Sequence, residues 1–594
     1  MELTVDAATA TGPLEHFWCS TGFTPASLLL DEDMRQQLAY LGSVPFGGVK
    51  YARIHFLLEL VRGAGFYDER PDIDWTLLDA GLDALHAEGL KPFFELMGNP
   101  GGYFDNFEED RQAQGWRRFI RELALHCIDR YGLDEVRSWY FETWNEPDHG
   151  WWKQSDRAFH IYYDACSNGL RDADAKLRFG GPGTATHMSE RLLSLLRHLD
   201  GGSDYFTGGR PRVDFISVHE KGAESSLEEI DPDMHGVVER EVALVEHIRK
   251  NHPDLADVPI MNNECDPQIG WGQTHSWRGR PYYAALIART VNDHLRRMVD
   301  QLGVRYELLS NDNGFLGFWG QRTHLARFGG DQPRRYGRFE QIKKPAHNIM
   351  TMLALLGDQR LAVRGEPDLY ADLGLLATRR GDEQVAILIY HGRDRIMSSG
   401  NQSIDLAIEG LPFDEAALMH YRIDEEHTNP YRLWTAGRRL WPQHVGHEHA
   451  ELFAAMRNEQ ELALIDGPRP AQISGGRLTL SFDLPLPAVS LILLTKKPAS
   501  PPGPVHGLRA RRYNGLTGQT QLMLRWHDEG SRALHTYEVL RAVDPDVPPQ
   551  RVNGPDILCT GYLHVAEDVR GTYRIRAVDQ WGRRGEPTEP VHFQ

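Results

Sequence analysis

At 594 residues the chain exceeds what one hydrophobic core organises, so about two to four domains are expected. Apolar residues at 41% and charged residues at 25% are the proportions of a globular protein, and a formal net charge of −19 disfavours nucleic acid and anionic membranes as partners. The five cysteines (Cys19, Cys127, Cys166, Cys265 and Cys559) are widely spaced and form no zinc-ligand pattern, so free thiols and no metal are expected.

The N-terminus, MELTVDAATATG, has no basic segment followed by an apolar one, which predicts a cytoplasmic protein. No long uncharged apolar window suggests a membrane span. From residue 13 to 357, short β-rich runs alternate with amphipathic helical stretches. The strand candidates are His16–Ser20, Gly48–Phe56, Pro92–Leu96, Ser138–Thr143, Leu177–Gly181, Val213–Val218, Pro259–Asn263 and Tyr306–Ser310. Between them, Leu77, Leu78, Leu82 and Leu85 form one helical face, and Trp116, Ile120, Leu123, Cys127 and Tyr131 another. Asp156 reads as the N-cap of the helix that follows it. This rhythm is that of a (β/α)8 TIM barrel, although a doubly wound open sheet gives the same alternation.

Beyond residue 358 the texture becomes short alternating runs, such as Val385–Tyr390, Leu478–Phe482 and Val489–Leu494. Residues 358–500, together with 1–12, therefore read as an antiparallel β-sandwich. The proline-rich stretch 496–504 reads as a linker, and residues 501–594 as a fibronectin type III-like module.

The sharpest chemical signal is Phe141-Glu142-Thr143-Trp144-Asn145-Glu146-Pro147 at the end of the fourth strand. Barrel enzymes place their chemistry at the C-terminal strand ends, and glycosidic cleavage needs one carboxylic acid and a second carboxylate across the sugar plane. Glu146 suits the general acid/base, and Asn145 suits a hydrogen bond to a sugar hydroxyl. Pro259-Ile260-Met261-Asn262-Asn263-Glu264-Cys265-Asp266 ends the seventh strand, where Glu264 suits the nucleophile and Asp266 is the rival carboxylate. Arg53, inside the second strand, reads as a buried group that orients carboxylates, with Glu95 in the same network. By default His55 is a core histidine, while Lys221 and Arg322 are solvated loop charges. Trp151, Trp152 and Trp271 suit sugar stacking or loop anchoring equally.

Several longer motifs occur together: HFWCSTGF, HFLLELV, FETWNEPDH, YYDACSNGLR, HEKGAESS, NNECDPQIGW, ELLSNDNGFL and QRTHLARF. In this order they resemble the uronide-cleaving members of glycoside hydrolase family 39. The resemblance implies a retaining exo-glycosidase that removes terminal α-L-iduronosyl residues from glycosaminoglycan-type oligosaccharides without a cofactor. It implies Glu146 as acid/base and Glu264 as nucleophile. His55, Asn145, His219, Lys221, Gly270, Asp312 and Arg322 are the substrate-binding positions it implies, Gly270 through main-chain N–H groups. A guanidinium and an ammonium suit a uronate carboxylate. The partner expected is thus a uronic-acid-containing oligosaccharide. The alternatives are a β-xylosidase-type activity of the same family and a non-catalytic carbohydrate-binding protein.

Overall fold

The computed structural model describes residues 1–594 except 23–24, 224–229, 271–272, 312, 315–316, 330–336, 397, 438–446, 529–532 and 545. Its centre is an eight-stranded parallel sheet. The strands are β1 (Ser20–Thr21), β2 (Tyr51–Ile54), β3 (Lys91–Glu95), β4 (Tyr140–Glu142), β5 (Arg178–Thr184), β6 (Phe215–Val218), β7 (Ile260–Asn262) and β8 (Tyr306–Leu309). Each pairs in parallel with the next, and a Ser20–Ser310 bridge joins the last strand to the first. The sheet is therefore closed, which decides for the barrel over the open sheet.

The two-residue period of a strand explains how the barrel makes a site. Tyr51, Phe93, Tyr140, Phe215, Met261 and Leu308 point inward and form one apolar layer. Two residues further along five of these strands stand Arg53, Glu95, Glu142, Ser217 and Asn263, all fully buried. The same inward face thus changes from apolar to charged one layer higher, toward the C-terminal strand ends. Alternate residues such as Ala52, Ile54, Phe94, Phe141 and Ile216 face the surrounding helices and belong to the main core.

The helical layer follows the apolar periodicity in most places. Trp116, Ile120, Leu123 and Cys127 are buried along Asp110–Tyr131. Leu78, Leu82 and Leu85 are buried on Thr76–Ala87, whereas Leu77 is exposed, one step off that face. The helix Asp156–Ala173 is capped by Ser155, whose side chain accepts from Ala158 N, so Asp156 is its first residue rather than its N-cap. At the barrel's start, only Ser20 of the predicted strand His16–Ser20 is in β pairing, which continues to Thr21; Phe17 and Trp18 turn into the helical core.

The chain's first strand, Glu2–Pro13, leaves the barrel. It pairs antiparallel with Gln359–Arg364 and in parallel with Gly400–Glu409 inside a nine-stranded sheet. That sheet wraps a separate core containing Val5, Ile387, Leu406, Leu418 and Ile492. Two helices, Pro430–Gly437 and Ala450–Glu459, are inserted in this β region and were not expected. Their Trp434, Phe453 and Met456 pack on Trp319, Phe328 and Ile342 next to the barrel. The last residues form a three-stranded and a four-stranded sheet around Leu522, Trp526, Tyr537, Val539 and Ile575. Among the described residues, no helix is long and apolar enough to cross a membrane.

Candidate active site

Arg53 is the hub of the charged layer. Its Nε donates to Glu142 Oε2 at 2.9 Å, Nη1 to Glu264 Oε1 at 2.7 Å, and Nη2 to Asn145 Oδ1 at 3.1 Å. Glu95 Oε1 lies 3.0 Å from Nη2. A planar guanidinium alone among side chains offers five donors in a fixed fork, which is what tying three carboxylates from three strands requires. Glu142 also accepts from Ser217 Oγ and, at 2.7 Å, from Asn263 Nδ2. Glu95 is shared with His55, whose Nδ1 stands 2.8 Å away. Burial opposes charge on His55, but the adjacent Glu95 outweighs it and raises the imidazole's pKa.

Glu146 follows β4 in a left-handed backbone conformation, φ 43°. A non-glycine residue held there is strained, and the surroundings enforce it. Its N–H donates to Gly183 O at 3.0 Å, and its carbonyl accepts from His149 N at 3.0 Å. The carboxylate is thereby aimed at Glu264. His219 Nδ1 lies 3.0 Å from Glu146 and 3.6 Å from Glu264. Lys221 Nζ lies 3.2 Å from Glu146 and 2.7 Å from Glu264. The ligating atoms of Glu146, His219 and Glu264 all fall within 4.8 Å of one another, close enough to share a cation. The ammonium of Lys221 supplies that charge.

These contacts set the protonation. Burial pushes both carboxyls up, yet it is outweighed in each. Lys221 and His219 hold Glu146 down at about 2. His219, Lys221, Arg53 and His55 hold Glu264 well below the carboxylate range. Both groups are ionised in the unliganded site.

The structure brings His55, Asn145, Glu146, His219, Lys221 and Glu264 together in one cluster. Gly270 is linked to them through the backbone. Gly222 N donates to Asp266 O and Ala223 N to Pro267 O, and Ile269 N donates to Ala223 O, zipping the loop after β7 to the one after Lys221. A Cβ on Gly222 would stand 2.0 Å from Pro267 O, so only glycine permits this approach. Gly270 itself adopts φ 99°. Arg322 is buried, with Nε 3.8 Å from Asp266 Oδ2. Asp312 and Trp271 lie outside the described residues.

Asp266, the rival carboxylate, is fully buried and turned to other work. It accepts from Arg278 Nη2 at 3.1 Å and Tyr283 OH at 3.2 Å. Trp152 packs against Trp144 and Phe107, anchoring its loop, while Trp151 is 63% exposed. Sequence reasoning missed Glu142, Ser217, Gly183 and Arg278. The first two were legible as polar residues at every second position of otherwise apolar strands.

The model of glycosyl hydrolases family 39 matches residues 1–477, and that of the α-L-iduronidase C-terminal domain matches residues 512–594. Human α-L-iduronidase is 36% identical over 630 residues, covering 99% of this chain and 93% of its own. A β-xylosidase of Caldicellulosiruptor saccharolyticus is 25% identical over 73% of this chain and 87% of its own. A crystal structure described as the bacterial orthologue of human α-L-iduronidase superposes with a TM-score of 0.94 at 38% identity, covering 100% of this chain and 99% of that one. By the extent of the family match and of these full-length relatives, the chain belongs to glycosyl hydrolase family 39.

Proposed function

We propose that this glycoside hydrolase removes terminal α-L-iduronosyl residues by a double displacement, with Glu264 as nucleophile and Glu146 as acid/base. One observation carries the mechanism: the two carboxylates face each other with their nearest ligating oxygens within 4.8 Å. Retaining glycosidases hold their carboxyl groups about 5–5.5 Å apart, whereas inverting ones need about 6.5–9.5 Å to admit a water. Glu264, ionised and oriented by Arg53, attacks the anomeric carbon. Glu146 protonates the leaving oxygen, and then takes a proton from the water that releases the sugar.

Identity to iduronidases along almost the whole chain favours the iduronide. The cationic groups agree with it. Lys221 stands at the carboxylate pair and Arg322 beside Asp266, and a uronate carboxylate is the substrate group that an ammonium and a guanidinium recognise, which a neutral pentose lacks.

Release of 4-methylumbelliferone from its α-L-iduronide, β-D-xyloside and β-D-glucuronide tests the reading, with Glu146→Gln and Glu264→Gln as controls. Cleavage of the iduronide alone, abolished by either substitution, is the expected result. Cleavage of the xyloside in its place overturns the uronate assignment and keeps the carboxylate pair.

A further inference from the structure

Lys344 is a fully buried lysine directly before the helix Pro345–Ala354. Its Nζ donates to Phe318 O at 2.7 Å, Gln321 O at 2.9 Å and Thr323 Oγ1 at 2.7 Å. Three acceptors at these distances call for three N–H groups, which only the ammonium form possesses. None of the three is a carboxylate. The nearest charged influence on Lys344 is another cation, Arg278, which is itself buried and ion-paired to Asp266 alone among the described residues. Arg278 and Arg322 both stand against Asp266, while no carboxylate among the described residues pairs with Lys344. A buried charge without a partner is costly to maintain. Burial accordingly pulls the Lys344 pKa well below that of a solvated lysine.

What the ammonium grips gives it a purpose. Gln321 and Thr323 are the two chain neighbours of Arg322. Lys344 N also donates to His324 O at 2.9 Å, and Thr323 Oγ1 passes the contact on to Leu325 O at 2.6 Å. The turn that presents Arg322 is thus fastened on both sides by one side chain.

We propose that Lys344 is a specificity-determining positioning residue: it fixes the turn bearing Arg322, so that the site selects an anionic sugar over its neutral counterpart. The inference rests on the proposed uronate site and deepens it. Lys344 does not touch the sugar; it acts through the placement of Arg322.

The test compares the aryl α-L-iduronide with the aryl α-L-idopyranoside, which carries a hydroxymethyl group in place of the carboxylate. In the wild-type enzyme the ratio of kcat/KM for iduronide over idoside reports the selectivity. Lys344→Met is expected to lower that ratio about tenfold, chiefly through KM for the iduronide. A purely structural role would lower kcat/KM on both substrates and leave the ratio in place, which would overturn the proposal, as would an unchanged enzyme. Should Lys344→Met fail to fold, Thr323→Val removes one acceptor within a nearly isosteric side chain, and the same fall in ratio, smaller in size, is expected. An unchanged ratio in that variant overturns the proposal too. A wild-type enzyme that does not favour the iduronide at all would instead sink the uronate site itself.

Discussion

Lys221 donates to Glu264 at 2.7 Å, and the same ammonium reaches Glu146 at 3.2 Å, so the proposed acid and nucleophile share one counter-ion before any sugar arrives. This poses a difficulty for the acid. Held down at about 2, Glu146 carries no proton at ordinary pH. A uronate entering the site competes for Lys221. Once the ammonium turns to the sugar's carboxylate, burial and the charge on Glu264 act on Glu146 unopposed by Lys221, and its pKa rises. Binding of free iduronic acid should therefore be accompanied by proton uptake, up to about one per site near pH 5. Calorimetry in buffers of different ionisation enthalpy measures it directly. Binding enthalpies that do not vary with buffer would exclude the exchange of Lys221 between enzyme and substrate.

The same depressed carboxyls bear on stability, with a definite sign. Glu146 binds its proton more weakly folded than unfolded, so its contribution is fully present above the unfolded value of about 4.3 and is lost as pH falls toward 2. Glu264 acts in the same direction. The thermal midpoint of the wild-type protein should therefore fall steeply between about pH 5 and pH 3. In Lys221→Met the two carboxyls lose a principal counter-charge and burial raises them, so the fall over that interval should be shallower. Parallel melting curves for the two proteins against pH would show that Lys221 is not what holds the pair ionised.

The barrel was legible because its strands are short apolar runs between amphipathic helices, and because the inward alternation Tyr51/Arg53, Phe93/Glu95 and Tyr140/Glu142 is written along each strand. The first strand was harder to place. HFWCS reads as five extended residues, yet His16 and Trp18 stack on each other and only the chain from Ser20 onward enters the sheet. The inserted helices Pro430–Gly437 and Ala450–Glu459 escaped notice because each is short and lies among β-rich segments; tertiary packing of Trp434 and Phe453 secures them. The two glutamates stood out through their place at strand ends. Arg53 and Glu95 stood out as charges inside strands, but Arg53's partners did not, because they lie far apart in sequence. Arg53 and Glu142 are separated by 89 positions, and Arg53 and Glu264 by 211. Lys344 has no sequence signature at all, since it looks like any lysine beside a proline.

Arg53 should prove indispensable to folding as well as to activity. Replacing it with Met would leave Glu95, Glu142 and Glu264 buried with their common cation gone. Removing one partner of a buried ion pair costs about 3–5 kcal/mol, and here one cation serves three anions. The variant is expected to be largely insoluble or to melt far below the wild type. Arg53→Lys keeps the charge and loses the fork. It should fold, with kcat lowered about a hundredfold as Glu264 loses its orientation. Differential scanning calorimetry beside steady-state kinetics separates the two effects. Wild-type kcat in the Arg53→Lys enzyme would show that charge alone suffices.

Gly183 is the position where a single methyl group should disturb the charged layer while leaving each of its charged side chains in place. It sits at the end of β5 with φ 58°, and its carbonyl accepts the N–H of Glu146. A Cβ there would stand 3.1 Å from Glu142 Oε1, 3.2 Å from His219 Nε2 and 3.4 Å from Arg53 Nη2. Gly183→Ala therefore brings backbone strain of about 1–2 kcal/mol and forces His219 or Glu142 to give by a few tenths of an ångström. The stability loss should be modest, a few degrees in Tm for a chain of this size. The catalytic loss should be disproportionate, because His219 holds Glu146 and Glu142 holds Arg53: kcat should fall about tenfold or more, with KM changing less. An alanine variant that melts lower yet turns over at the wild-type rate would mean the charged layer tolerates displacement and that the tight fit around Gly183 serves folding alone.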